Sequence, residues 1–240
     1  MDLLEEGAGV DPASHWYYRS KARLMRSRIA GRVEPTGIAW DVGAGSGFFS
    51  SYLLANGLAG AATCIDPNYK CERSALVKGH PLSFCRAPSG AAPDLVLLMD
   101  VLEHVEDPVS LLGEYVQAAR PGATFFITVP AHQWLWSDHD VYLGHYRRYT
   151  RRLLEHTAVA AGLTVDESGY YFLTIVPPVW AVRARRHSDP EAVTESDMKP
   201  ASSLVNHILQ AALAVEQRLL GLNPWTGVSV VLVGHRSFAT

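Results

Sequence analysis

Residues Ile38 to Phe49, I-A-W-D-V-G-A-G-S-G-F-F, constrain the fold of this chain more than any other stretch. An apolar run carrying an acid, Asp41, leads into Gly43, Gly45 and Gly47 and then into the apolar start of a helix. Glycines at alternate positions between a strand and a helix serve a backbone that takes positive φ or lets a ligand come close, so the segment predicts a strand-turn-helix cradle. A dinucleotide fingerprint, G-x-G-x-x-G, would put its third glycine at position 48, where Phe48 stands. Asp41 is the second discriminator. A carboxylate aimed at the cradle repels a pyrophosphate and attracts a cationic amino group, which argues against an NAD-dependent oxidoreductase.

Apolar runs and helical patterns alternate beyond the turn. The spacing predicts strands at 38–42, 61–66, 82–86, 94–100 and 123–129, with helices at 47–57, 69–78 and 108–119. Short strands apolar on both faces indicate a parallel sheet covered by helices, an α/β doubly wound fold. Thr150 is placed to cap a helix reaching about Ala161, with Gly162 at its C′ position. Thr164 to Phe172 and Gly227 to Gly234 read as the last two strands. Between them the region 173–226 predicts a helical insertion, with a polar linker, His187 to Pro200, and a helix at about 203–222.

With 240 residues and 48% hydrophobic content, the chain suits a single domain, 1–240, with a sizeable core. A net charge of -3 supplies no global basic field, so no nucleic-acid partner is expected. The N-terminus lacks a basic and apolar leader, and the longest apolar run, Tyr170 to Val182, is broken by Pro177-Pro178; a soluble cytoplasmic protein is the expectation. Phe172 to Val182, followed by Arg183, Arg185 and Arg186, offers a possible peripheral membrane contact. Cys64, Cys71 and Cys85 form no C-x-x-C pair, which excludes a disulfide framework and a cysteine zinc site. Monomer and homodimer both remain open.

Four ordered segments carry a resemblance. The glycine turn, A-T-C-I-D-P ending in Asp66-Pro67, P-D-L-V-L-L-M-D-V-L-E-H-V (Pro93 to Val105) and R-P-G-A-T-F-F-I-T-V-P (Arg120 to Pro130) together resemble the class I S-adenosylmethionine-dependent methyltransferases. H-W-Y-Y-R near the start, V-P-A-H-Q-W-L-W-S-D-H-D and G-H-Y-R-R-Y-T extend the likeness to a bacterial type 11/12 subgroup, across most of the chain. The resemblance implies a mostly parallel seven-stranded sheet with an antiparallel last strand, and S-adenosylmethionine as cofactor, leaving S-adenosylhomocysteine. It implies methyl transfer to an O, N or C nucleophile of a small-molecule acceptor, in secondary-metabolite, glycan or lipid biosynthesis. The alternative is a non-catalytic S-adenosylmethionine-binding or scaffold protein.

On that resemblance, Asp41, Gly43, Gly45 and Gly47 hold the methionine part. Asp66, with Pro67, meets the ribose, where a carboxylate accepts hydrogen bonds from both hydroxyls. Asp100, Val101 and His104 line the adenosine or sulfonium side, Glu103 organising the loop. The N-terminal helix, 15–30, acts as a lid through Trp16, Tyr17 and Arg19, Trp16 on the substrate side. Where many relatives have an adenine-binding acid after the third strand, this chain reads Arg86-Ala87-Pro88-Ser89, leaving that contact to backbone groups or Ser89.

The stretch 131–149 lies just beyond the fifth strand, where a parallel sheet presents ligands, and is expected to form the substrate loop, enclosing the acceptor pocket together with the N-terminal helix and the insertion. Trp134, Trp136, Tyr142 and Tyr146 are candidates for a pocket wall, and Arg147 and Arg148 for holding an anionic group. His132, His139 and His145 are candidate bases near neutral pH. Asp138, His139, Asp140 and His145 crowd too closely in sequence for a preformed metal site, so none is expected there.

Overall fold

The structure, a computed structural model, describes residues 11–186 and 202–238. The expected linker, His187 to Pro200, and the first residues of the chain lie outside them. The sheet has eight strands: β1 (Ile38–Val42), β2 (Ala61–Ile65), β3 (Arg73–Val77), β4 (His80–Cys85), β5 (Leu95–Met99), β6 (Thr124–Pro130), β7 (Leu163–Tyr171) and β8 (Ser229–Arg236). Their order is β3-β4-β2-β1-β5-β6-β8-β7. The run from β4 to β6 is parallel, whereas β8 lies antiparallel between β6 and β7. The expected doubly wound sheet with its antiparallel last strand is therefore present.

The helices are α1 (Trp16–Ile29), α2 (Phe48–Ala55), α3 (Pro108–Ala118), α4 (Asp138–Tyr142), α5 (Arg151–Ala160), α6 (Val176–Arg186) and α7 (Ser203–Leu219). Alternate residues of the central strands feed two cores. Leu95, Leu97 and Phe126 pack with Leu24 and Met25 of α1 and Leu53 of α2. Val96, Leu98 and Phe125 pack with Leu112 of α3 and Leu154 of α5. Burial on both faces explains why β5 reads as one unbroken apolar run. Asp107 caps α3 by accepting from the Ser110 N–H, and Thr150 caps α5 by accepting from that of Leu153.

One expected element is replaced. Residues 69–78 do not form a helix: β3 turns through Lys78 (φ 49) and Gly79 (φ 85) and pairs antiparallel with β4 as an eighth strand. Two consecutive positive φ values make the tight hairpin whose twist suits its strands. Four of the five β3 residues are exposed, so the strand buries no face that would impose an alternating pattern on its sequence.

Between β7 and β8 the insertion sends α7 against α1. Asn206 accepts from the Trp16 N–H (2.7 Å) and donates to the Ser14 carbonyl (2.7 Å), while Arg23 donates to the Gln210 carbonyl (3.1 Å). Glu216, buried in α7, accepts from the N–H groups of Leu173 (2.8 Å) and Thr174 (2.7 Å). These bonds fix α1 and the start of α6 over the carboxyl ends of β5 and β6. In the stretch considered for membrane contact, Phe172 and Ile175 are buried and Arg183 is bonded inward to the Leu135 carbonyl, whereas Trp180 and Val182 are exposed. Among the described residues no helix is long and apolar enough to cross a membrane.

Candidate functional site

The sheet order reverses between β1 and β5, and crevices at such a switch point receive ligands. At the end of β1, Gly43, Gly45 and Gly47 all take positive φ (62°, 54° and 80°), which only glycine adopts without strain. Gly47 is sterically fixed as well: a Cβ there would come within 2.9 Å of Cys64 Sγ and of the Phe84 ring. Asp66, at the end of β2, braces the turn by accepting from the Gly45 N–H (3.2 Å) and the Asn68 N–H (2.9 Å). Tyr69 donates to the Gly45 carbonyl (2.7 Å). Pro67 is exposed beside Asp66.

Asp41 is buried under the turn. Its Oδ2 accepts from the Ser50 N–H (3.2 Å) and hydroxyl (2.9 Å), while Oδ1 has no hydrogen-bond partner. Burial pushes its carboxyl up to about 6 despite the Ser50 bonds. An orphaned, desolvated carboxylate oxygen beside three glycines in positive φ fits a ligand that brings an ammonium group, as the methionine end of S-adenosylmethionine does.

On the other side of the switch point, Asp100 follows β5 in positive φ (56°). Its carboxylate accepts from the Tyr17 hydroxyl (3.0 Å), the Thr128 hydroxyl (3.1 Å) and the ammonium of Lys21. Lys21 is 1% exposed, so α1 carries a desolvated cation to this acid. Burial works against ionisation of Asp100, but the Lys21 charge and hydrogen bond outweigh it and hold the carboxyl below its ordinary value. Glu103, in the 3₁₀ turn Leu102–His104, is pushed well up by burial and then by the Asp100 charge.

A cavity of roughly 390 Å³ opens at Asp100. Its polar wall holds Glu103, His104, His139, His145, Arg148 and Arg183. Its apolar wall comes from α1 (Trp16, Tyr17) and the insertion (Ile175, Val179, Val182, Leu209). Asp140, buried in α4, organises the polar side. Its Oδ1 lies 2.8 Å from His145 Nδ1 and accepts from Arg148 Nε (2.7 Å), with Arg183 at 3.8 Å from Oδ2. Burial opposes the charge, but these bonds and cations hold Asp140 well below the usual carboxylate range.

Of the residues singled out in the sequence, Trp16, Tyr17, Asp100, His104, His139, His145 and Arg148 line this cavity, and Val101 packs in the core behind it. Several others stand outside this lining. His132 stacks between Trp134 and Tyr170, centroids 5.1 and 4.8 Å away, and bonds Thr226 (2.9 Å) outside the cavity lining. Burial lowers its pKa further. Trp134 and Tyr146 point outward at 54% and 55% exposure, and Trp136 and Tyr142 are also absent from the lining. Arg147 donates to the Glu106 carbonyl (2.7 Å), and Arg19 lies on the exposed face of α1. The aromatic side chains of the cavity wall come from α1, and the insertion adds aliphatic ones. Arg86 at the end of β4 donates to the carbonyls of Tyr69 (2.6 Å) and Lys70 (2.6 Å), and Ser89 to Cys85 Sγ (3.3 Å).

Lys21 escaped the sequence reading, and Asp140 and Arg183 were weighed there only for a metal site and a membrane contact. Lys21 follows Tyr17 by one helical turn, so the i, i+4 spacing that places both on Asp100 was the available signal. Asp140 and Arg183 meet across elements, which spacing alone does not show.

The switch-point turn, the acids closing β1, β2 and β5 and the capped cavity define an α/β protein of the class I methyltransferase type. A family model described as a methyltransferase domain matches residues 15–168, and the chain belongs to this family, whose members use S-adenosylmethionine. It is 26% identical over 159 residues to an uncharacterized methyltransferase of Mycobacterium leprae (strain Br4923), the match covering 56% of this chain and 59% of that protein. Over 106 residues it is 29% identical to a ubiquinone biosynthesis O-methyltransferase of Photorhabdus laumondii, covering 40% of this chain and 44% of that one. The chain thus spans somewhat more than half the length of the first of these relatives. The fold matches that of a Haloferax volcanii protein solved in complex with the Trm112 methyltransferase activator, with a TM-score of 0.58 at 17% identity, over 98% of this chain and 94% of that one.

Proposed function

We propose that the protein transfers the methyl group of S-adenosylmethionine to a small-molecule acceptor held in the cavity beside Asp100. The observation that carries this reading is the common location of the two parts: the glycine turn follows β1, and Asp100, which lines the cavity, follows the neighbouring parallel strand β5. The glycine turn would hold S-adenosylmethionine, whose chemistry there would be an electrophilic methyl group for the acceptor's lone pair, with the sulfur retaining the electrons of the S–C bond. Asp41 and the glycines hold the ammonium end, and Asp66 takes the ribose hydroxyls in exchange for its backbone partners. Tyr17 and Trp16 close the site from α1 and exclude water. His139 and His145 face the acceptor and accept the proton an oxygen nucleophile must lose.

The apolar insertion wall suits an acceptor with an aromatic or alicyclic body, and the histidine wall suits a polar end. Calorimetric titration with S-adenosylhomocysteine tests the cofactor half. The wild type binds one equivalent, and Asp66→Ala weakens binding severely; no binding, or binding indifferent to Asp66→Ala, defeats the proposal.

A further inference from the structure

The 3₁₀ turn after β5 and the loop after α4 bring Glu103, His104 and His145 together, with one metal-binding atom from each within 4.8 Å of the others. The cluster joins Glu103 and His104, neighbours in one turn, to His145 from a distant loop, and differs from the Asp138, His139, Asp140 and His145 set weighed from the sequence. Glu103 is 1% exposed, and its Oε2 has no hydrogen-bond partner. A buried carboxyl oxygen without a partner is costly, and a bound ion is one of the ways a native fold satisfies it.

The two imidazoles are held in matching ways. His104 Nδ1 lies 3.1 Å from the Leu143 carbonyl oxygen, and His145 Nδ1 lies 2.8 Å from Asp140 Oδ1. Both oxygens can only accept, so each neutral ring carries its hydrogen on Nδ1 and its lone pair on Nε2. The rings meet edge to face with centroids 4.5 Å apart. An imidazole anchored through one nitrogen by a carboxylate or carbonyl is the arrangement that orients metal-bound histidines. All three side chains also line the cavity, which gives an ion a way in and an open side.

We propose that Glu103, His104 and His145 bind one divalent first-row transition metal ion. Two imidazoles and a carboxylate favour Zn2+ or Mn2+ over Mg2+, which prefers an all-oxygen shell. Three protein ligands leave room in the shell for an oxygen donor from the cavity. The role of the ion rests on the methyl-transfer reading: it selects an acceptor with a hydroxyl group, orients that oxygen, and leaves His139 as the proton acceptor.

Protein stripped of metal by chelation is titrated with ZnCl2, MnCl2 and MgCl2 in the absence of cofactor, beside Glu103→Gln and His145→Gln. The expected result is one Zn2+ or Mn2+ per wild-type chain and affinity at least about 100-fold weaker in either variant that retains its circular dichroism spectrum. If His145→Gln does not fold, the near-isosteric Glu103→Gln and the visible absorption of bound Co2+ decide: imidazole-ligated intensity in the wild type and its loss in the variant support the site. Absence of Zn2+ and Mn2+ binding, tighter Mg2+ binding, or full affinity in Glu103→Gln overturns it. S-adenosylhomocysteine binding to the chelated protein is measured separately, so that failure of the metal site and failure of the cofactor reading give different results.

Discussion

Replacing Asp41 by asparagine separates two opposed effects of one carboxylate. In the cofactor-free protein its carboxyl is raised from 3.8 to about 6, chiefly by burial. The folded state therefore binds this proton more tightly than the unfolded state. The contribution of Asp41 to stability is fully present below about pH 4, declines as pH rises toward 6, and reaches its full deficit above that. At 1.36 kcal/mol per pKa unit, a displacement of about 2 units costs about 3 kcal/mol at neutral pH. Asparagine keeps an oxygen for the Ser50 donors and carries no charge, so Asp41→Asn raises the neutral-pH stability of the cofactor-free protein by up to about 3 kcal/mol. For a domain of this size that corresponds to roughly 2–4 °C of Tm per kcal/mol.

Binding reverses the sign. An ammonium group at the orphaned Oδ1 holds the carboxylate ionised, so S-adenosylhomocysteine binding to the wild type releases a proton and tightens as pH rises from 4 to 6. The slope approaches tenfold per pH unit. Thermal melts of both proteins from pH 5 to 8, and calorimetry at pH 5.5 in buffers of different ionisation enthalpy, measure the two effects. A cofactor-free Asp41→Asn less stable than the wild type at pH 7.5, together with pH-independent binding in the wild type, would refute the assignment of Asp41 to the ammonium.

Lys21→Met takes the buried cation from the half-buried Asp100, which keeps its Tyr17 and Thr128 donors; a loss of about 1–3 kcal/mol is expected in urea denaturation, with much of it restored by adding Asp100→Asn. Gly47→Ala combines positive φ with contact against Cys64 and Phe84, and is expected to cost at least about 1–3 kcal/mol and to weaken S-adenosylhomocysteine binding. Gly79→Ala meets no atom within 4 Å, so only the positive φ opposes it. Its cost is expected near 1 kcal/mol, with cofactor binding unchanged, because the β3–β4 hairpin lies at the far edge of the sheet.

The turn proposed to hold the cofactor was legible because it is written locally. Asp41, the three glycines and Asp66 sit at strand ends, and a short strand buried on both faces announces itself as an unbroken apolar run. The β3 hairpin was not legible: an exposed edge strand is under no pressure to alternate, and its Lys78-Gly79 turn is a weaker signal than Asn-Gly. The acceptor half was half legible. The loop after β6 was recognised as rich in functional groups, yet composition does not say which way a side chain turns. His139 and His145 face the cavity while His132 stacks on Tyr170, and the difference depends on Asp140, Arg148 and Thr226, contacts made across elements. That the insertion joins the pocket was expected, but which of its side chains do so, Ile175, Val179, Val182 and Leu209, was not legible for the same reason.

A crystal structure with S-adenosylhomocysteine bound tests the central claim most directly. The account predicts the amino group at Asp41 and the glycine turn, the ribose at Asp66, and the sulfur facing the cavity between Tyr17, Asp100 and the His104, His139 and His145 wall. Adenosine bound away from the β1 turn, or a sulfur closed off from that cavity, would contradict it.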